Sequence, residues 1–161
     1  MLTHARAHAA ELAAPGLSPT PRRRVAVLAC MDGRIDVHAL LGLQAGDAHV
    51  IRNAGGLVSD DALRSLSASQ RLLGTEEVVV IMHEGCGLLG ASDEQFAAAL
   101  AADGAQPGFV LGGFADLDAA LLAGLERLRS APELIARERI RGFVYDPTTG
   151  ELREVGPAPV G

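Results

Sequence analysis

Short apolar runs and longer amphipathic stretches alternate along the chain. The run at residues 77–82 is rich in β-branched residues, which is typical of a buried strand. The segment 146–150, Asp-Pro-Thr-Thr-Gly, has the composition of a turn and predicts a hairpin between the segments on either side of it. We expect strands at residues 25–29, 48–51, 77–82, 140–145 and 151–155.

The amphipathic stretches carry the signals of helix ends. Ser59 followed by Asp60 and Asp61 provides an N-cap and an acidic first turn, and Gly74 ends the leucine pattern that follows. We expect helices at residues 2–13, 59–73, 92–102 and 116–130. Strands that alternate with helices indicate an α/β fold. The prediction is a single domain with a mostly parallel central β-sheet flanked by helices, an N-terminal helical arm and a C-terminal antiparallel hairpin.

Proline content suggests where the arm ends. Residues 14–24 contain three prolines and precede the first apolar strand. We therefore divide the chain into an N-terminal arm, residues 1–24, made of a helix and a Pro-rich linker, and an α/β domain at residues 25–161. No internal repeat and no second domain are visible in the sequence.

Composition narrows the possible partners and the location. The formal charge is -6, whereas binding to nucleic acid needs a basic surface. The basic cluster at residues 22–24 is better explained as a solvated strand start than as a phosphate site. No apolar run approaches the roughly 18 residues that cross a bilayer, and residues 1–16 lack the apolar core of a secretory signal. We expect a cytoplasmic protein that binds neither nucleic acid nor membrane.

Missing residue types exclude several enzyme classes. The chain has no lysine, since all 14 basic residues are arginine. Walker-type phosphate loops, Schiff-base chemistry and pyridoxal phosphate anchoring all need a lysine amine. With no Trp and one Tyr, a surface for stacking nucleic acid bases is also unexpected.

The two cysteines lie where an α/β sheet binds its ligands. Cys30 and Cys86 follow predicted strands, and ligands of open α/β sheets bind at the carboxyl ends of the strands. His83 stands three residues before Cys86. Two thiolates and an imidazole form a soft donor set for zinc that leaves a fourth position open, as catalytic sites do. Inert buried thiols and a redox disulfide are the alternatives.

An acid and a guanidinium next to Cys30 favour the metal. Asp32 and Arg34 stand two and four residues beyond it. An arginine in this position can keep a carboxylate ionised and oriented beside a metal.

These motifs resemble those of one enzyme family. The segment Cys30-Met-Asp-Gly-Arg34 resembles the Cys-x-Asp-x-Arg signature of beta-class carbonic anhydrases, and His83-Glu-Gly-Cys86-Gly87 resembles their His-x-x-Cys-Gly signature. Between them, Arg52-Asn-Ala-Gly-Gly56 is similar to the family's Arg-Asn-Ala-Gly segment. The resemblance is strong from about Val25 to Gly90 and weaker beyond.

The resemblance implies a function and a set of roles. Cys30, His83 and Cys86 would bind one Zn²⁺ per chain, and Asp32 and Arg34 would be the catalytic dyad. The activity would be the reversible hydration of carbon dioxide to bicarbonate. The resemblance also implies a homodimer or a higher homo-oligomer, with the N-terminal helix wrapping the partner.

The expected mechanism uses the low pKa of zinc-bound water, which is about 7. The resulting hydroxide would attack carbon dioxide held in an apolar pocket. Asp32 would accept the hydrogen bond of the hydroxide, and Arg34 would hold Asp32 in place. In some family members the aspartate instead binds the zinc, and the sequence does not decide between the two states.

Other residues have simpler explanations beside a functional one. His38 and His49 could relay protons, although surface positions are the simpler expectation. Arg52 could pair with an acid across a dimer interface, and Gly55 and Gly56 could allow a tight turn. Four apolar residues are expected either in the pocket or in the core: Leu57, Val58, Leu88 and Leu89.

Three other functions stay open at this point. A hydrolase of carbonyl sulfide or carbon disulfide would use the same scaffold and metal. A non-enzymatic zinc protein would keep the ligands without needing Asp32 and Arg34. A dithiol redox protein would use Cys30 and Cys86 without zinc. The lack of Trp argues against a separate regulatory bicarbonate site of the kind that contains Trp.

Overall fold

The computed structural model describes residues 1–11 and 16–156 of the chain. The last residues of the expected first helix and of the domain at residues 25–161 lie outside these ranges. The division into arm and domain therefore stays a prediction.

The central sheet has the five expected strands. Their order across the sheet is β2-β1-β3-β4-β5; the first four strands run parallel, and β5 pairs antiparallel with β4. The mostly parallel sheet and the C-terminal antiparallel pair are thus confirmed. The strands are β1 Val25–Cys30, β2 Ala48–Asn53, β3 Glu77–His83, β4 Ile140–Tyr145 and β5 Leu152–Val155.

The helices follow the predicted pattern with one addition. Each of the four helices after the first begins at a Ser or Asp whose side chain accepts a backbone amide hydrogen bond, as an N-cap does. The five-residue helix α2 was not predicted, and a short 3₁₀ turn, Ala54–Gly56, follows β2. The helices are α1 Leu2–Glu11, α2 Val37–Leu41, α3 Asp60–Leu73, α4 Asp93–Ala102 and α5 Leu117–Ser130.

Two apolar cores lie on opposite faces of the sheet. Alternate residues of β3 pack into one core or the other, because successive side chains of a strand point to opposite faces of the sheet. Val78, Val80 and Met82 pack with α3 and α5, whereas Val79 and Ile81 share the other core with both cysteines. The cysteines therefore pack against buried apolar side chains of this second core.

Protein acceptors surround the basic cluster at the start of β1. Arg22 donates to Asp47 and to Ala45 O, and Arg24 pairs with Glu76. These contacts fit the interpretation of a strand start. Among the described residues, none of the helices has the length and apolar character needed to span a membrane.

Candidate metal centre and active site

The carboxyl ends of β1 and β3 bring Cys30, His83 and Cys86 together. Cys30 ends β1, His83 ends β3, and Cys86 follows a turn in which Gly85 has a φ of +64°. The two sulfur atoms and an imidazole nitrogen all lie within 4.8 Å of one another. The three residues are buried, with exposed fractions of 3%, 0% and 7%. The structure thus brings together the three residues that the sequence analysis singled out as candidate ligands.

The histidine ring is oriented for metal binding. Its Nδ1 lies 3.0 Å from Glu84 O, and because a carbonyl only accepts, Nδ1 carries the hydrogen. In the neutral imidazole the lone pair is then on Nε2, which is buried and has no hydrogen bond partner among the described residues. Such an unsatisfied buried nitrogen is costly unless something binds it. Together with two cysteines, it fits the donor set that zinc prefers.

Without a bound cation, the environment of the Cys86 thiol disfavours its ionised form. Burial raises the pKa of the Cys86 thiol, and the charge of the neighbouring Cys30 adds to the rise. A bound dication would offset both effects, since it stabilises the thiolate form of each ligand.

Arg34 holds the Asp32 carboxylate at the mouth of this cluster. Its Nε donates to Asp32 Oδ1 at 2.9 Å and its Nη2 donates to Oδ2 at 2.8 Å, while its backbone N–H donates to Oδ1 at 2.9 Å. These hydrogen bonds keep the pKa of Asp32 well below its usual range. Oδ2 lies 3.7 Å from His83 Nε2, but Asp32 is not in the group of converging metal donors. In this structure Asp32 is thus paired with Arg34.

Arg34 also joins the two loops that carry the cluster. Its Nη2 lies 3.2 Å from Gly85 O, in the turn between His83 and Cys86. The aspartate side chain is 21% exposed and the arginine side chain 51% exposed, so this part of the site opens to solvent.

Two residues of the third motif lie against the site, as the family resemblance implies for the backbone at Gly55 and Gly56. Arg52 donates from Nε to the carbonyl of Cys30 and from Nη2 to the carbonyl of Asp32. Its expected pairing with an acid across a dimer interface stays a prediction. Gly56 lies so close to the strands that a Cβ there would be 2.7 Å from Ile81 O and 3.0 Å from Cys30 N. The motif itself was the only sequence signal for either contact.

The four apolar candidates for the pocket lie in different parts of the fold. Leu88 packs against the core that contains the cysteines, whereas Leu57 and Val58 belong to the opposite core. Leu89 is 40% exposed.

Within residues 1–11 and 16–156, neither candidate relay histidine has a hydrogen bond that links it to the metal cluster. His49 contacts Ser69 and Pro19 O, at 2.8 and 2.9 Å. Both of its ring nitrogens therefore have partners outside the site. His38 is an exposed residue of α2.

Comparison with known proteins agrees with this geometry. The sequence model of the carbonic anhydrase family matches residues 25–108. Beta-carbonic anhydrase 1 of Mycobacterium tuberculosis is 42% identical over 138 residues, with 85% of each chain covered. A carbon disulfide hydrolase of an Acidianus species is 35% identical over 157 residues, covering 82% of this chain and 77% of that protein.

A solved structure shows the same fold. The crystal structure of carbonic anhydrase from Streptococcus mutans superimposes with a TM-score of 0.90 at 35% identity, covering 96% of this chain and 95% of that one. The chain belongs to the beta-carbonic anhydrase family.

Proposed function

We propose that this protein catalyses the reversible hydration of carbon dioxide to bicarbonate and a proton, with one zinc ion held by Cys30, His83 and Cys86. One observation carries the proposal. The three converging donor atoms lie beside a carboxylate that an arginine keeps ionised. A structural zinc site usually has four protein ligands and does not need such a pair.

The catalytic roles follow from the hydrogen bonds of Asp32 and Arg34. Zinc bound here would supply a Lewis acid that makes water a nucleophile at neutral pH. Because Asp32 is ionised, its oxygens only accept hydrogen bonds, and one of them can hold and orient the attacking water. The distance of 3.7 Å between Oδ2 and His83 Nε2 supports this role for Asp32. Arg34 fixes the carboxylate by its two parallel hydrogen bonds.

The surroundings suit a small neutral substrate and a charged product. Leu88 and Phe114 pack against the core that contains both cysteines, so apolar side chains lie near these candidate ligands. The half-exposed Arg34 side chain gives the site a polar part that is open to solvent. Bicarbonate and the proton can leave toward water from this polar part.

Hydrolysis of carbon disulfide is the second candidate. It is favoured by the Acidianus relative, which is named for that activity. Carbon disulfide, carbonyl sulfide and carbon dioxide are all small linear molecules that an apolar surface can accept.

Parallel assays with the three substrates, carbon dioxide, carbonyl sulfide and carbon disulfide, distinguish these functions. Purified protein with measured zinc content would be tested by stopped flow for carbon dioxide hydration and by sulfide release for the two sulfur substrates. Fast hydration with slow sulfide release would support the proposal. Sulfide release much faster than hydration would assign the sulfur chemistry. Full zinc content with none of the three activities would indicate a non-enzymatic zinc protein.

We also propose that the protein is a homodimer or a larger homo-oligomer of this chain. Residues 1–9, most of helix α1, are all exposed in the single chain, which suits a helix that packs on a partner. Light scattering should give a molar mass of at least twice the 16.6 kDa of one chain. A monomeric mass would contradict this. The cytoplasmic location stays a prediction.

A further inference from the structure

Arg52 links strand β2 to the loop that carries the metal ligand and the catalytic acid. Its Nε donates to Cys30 O at 2.9 Å, and its Nη2 donates to Asp32 O at 2.6 Å. In the register of the sheet, Arg52 is opposite Ala29, and the next residue, Asn53, is opposite Cys30. The guanidinium thus extends past the end of β1.

These bonds act where the sheet stops supporting the loop. Met31 N–H donates to Asn53 O at 2.8 Å, and β1 ends at the residue before. Beyond this bond the chain turns away, with Ile35 N–H donating to Asp32 O at 3.1 Å. Arg52 therefore provides a connection from β2 to Asp32 that the backbone ladder no longer provides.

Arg52 and Arg34 hold opposite ends of the same residue. Arg34 binds the carboxylate of Asp32, and Arg52 binds its main-chain carbonyl. No salt bridge involves Arg52 within residues 1–11 and 16–156, so its hydrogen bonds go to backbone oxygens and not to an acid. The planar fork of a guanidinium can span two carbonyls in a fixed geometry, which a single ammonium cannot do.

We propose that Arg52 is a positioning residue that sets the Asp32 carboxylate relative to the Cys30 thiolate. The inference rests on the proposed function of Asp32 and Cys30 and adds a residue to it. Without Arg52, the loop would keep the pair of Asp32 with Arg34 but lose its fixed distance from the end of β1. Both the zinc affinity and kcat would then decrease.

The test compares Arg52→Gln and Arg52→Lys with a matched control. Arg71 is a suitable control because it makes the same kind of contact far from the site, donating to Glu133 O and Pro132 O. For Arg71→Gln and both Arg52 variants we would measure zinc affinity by competition with a chelator, kcat and KM for carbon dioxide, and the thermal midpoint. Zinc affinity does not depend on the activity of the enzyme, so it also tests Arg52 if the substrate assignment is wrong.

We expect Arg52→Gln to weaken zinc binding and lower kcat, each by about 10- to 100-fold, the usual loss for a residue that supports metal ligands. KM and the thermal midpoint should differ little from those of Arg71→Gln. Arg52→Lys should recover only part of the loss, because it reaches one carbonyl. Zinc affinity and kcat equal to those of Arg71→Gln would overturn the proposal, and so would full recovery in Arg52→Lys. A wild-type protein that binds zinc but hydrates no carbon dioxide would instead refute the proposed function.

Discussion

Substitution of Gly56 by alanine should destabilise the protein and disturb the metal centre together. Gly56 has a φ of +68°, and a left-handed conformation costs an L-residue about 1–2 kcal/mol. The added Cβ would lie 2.7 Å from Ile81 O and 3.0 Å from Cys30 N, both backbone atoms of central strands. Overpacking of this kind costs a further 1–3 kcal/mol or so. The expected loss is therefore about 2–5 kcal/mol, a large share of the roughly 5–15 kcal/mol that stabilises a typical domain.

Gly42→Ala separates the two contributions. Gly42 has a φ of +59°, and no atom lies within 4 Å of the position that a Cβ would occupy there. Its substitution by alanine therefore has the conformational cost without the overpacking. The entropy that alanine removes from the unfolded chain, about 0.4–1 kcal/mol, is the same at both positions. The difference between the variants should then be about 1–3 kcal/mol, the cost of overpacking at Gly56.

Urea denaturation of both variants in excess chelator measures this difference without a contribution from bound metal. Zinc affinity should fall for Gly56→Ala and not for Gly42→Ala, because Cys30 has to move to admit the new methyl group. Equal unfolding free energies for the two variants, with unchanged zinc affinity, would refute the close approach of Gly56 to the strands.

Two further predictions concern pH and metal removal. The buried Asp47 carboxylate accepts hydrogen bonds from Gln44 N–H and from Arg22, and these bonds lower its pKa in the folded protein. The stabilisation from the ionised Asp47 is therefore complete above the unfolded pKa of about 3.9. It is lost as the pH falls from there through the lower pKa of the folded state. In urea denaturation, the advantage of wild type over Asp47→Asn should thus be constant from about pH 7 to 5 and shrink below about pH 4, and an advantage that grows with acid would contradict this. Free zinc at 100 times its Kd should stabilise the protein by about 2.7 kcal/mol, so removal by a chelator should lower the thermal midpoint by about 5–10 °C. Cys86→Ser should respond much less, and an equal response in both proteins would place the metal elsewhere.

The regular elements could be predicted because their signals are local. In the part of the chain that the structure describes, all five strands and four of the five α-helices were expected. Three strands run one or two residues further than predicted: β1 to Cys30, β2 to Asn53 and β3 to His83. These extra residues matter, because they include two of the proposed metal ligands, Cys30 and His83, which thus lie within the sheet. Helix α2 was missed because five residues are too few to show a helical period.

The site was predictable as far as its chemistry depends on side-chain type. Cysteine, histidine, aspartate and arginine at fixed spacings indicated a metal and an acid held by a base. The contacts of Arg52 could not be predicted, because its acceptors are main-chain carbonyls and every residue has one. Gly56 was expected in a turn, but its approach to Ile81 depends on how the turn lies across the sheet.

The most direct test of the central claim is carbon dioxide hydration by stopped flow, on wild type and Asp32→Asn, with zinc measured in the same samples. Asparagine keeps the size of Asp32 but cannot hold the negative charge that Arg34 stabilises. We predict fast hydration by wild type at about one zinc per chain, and at least an approximately tenfold loss in the variant with its zinc retained. An Asp32→Asn protein that kept both its zinc and full activity would contradict the account.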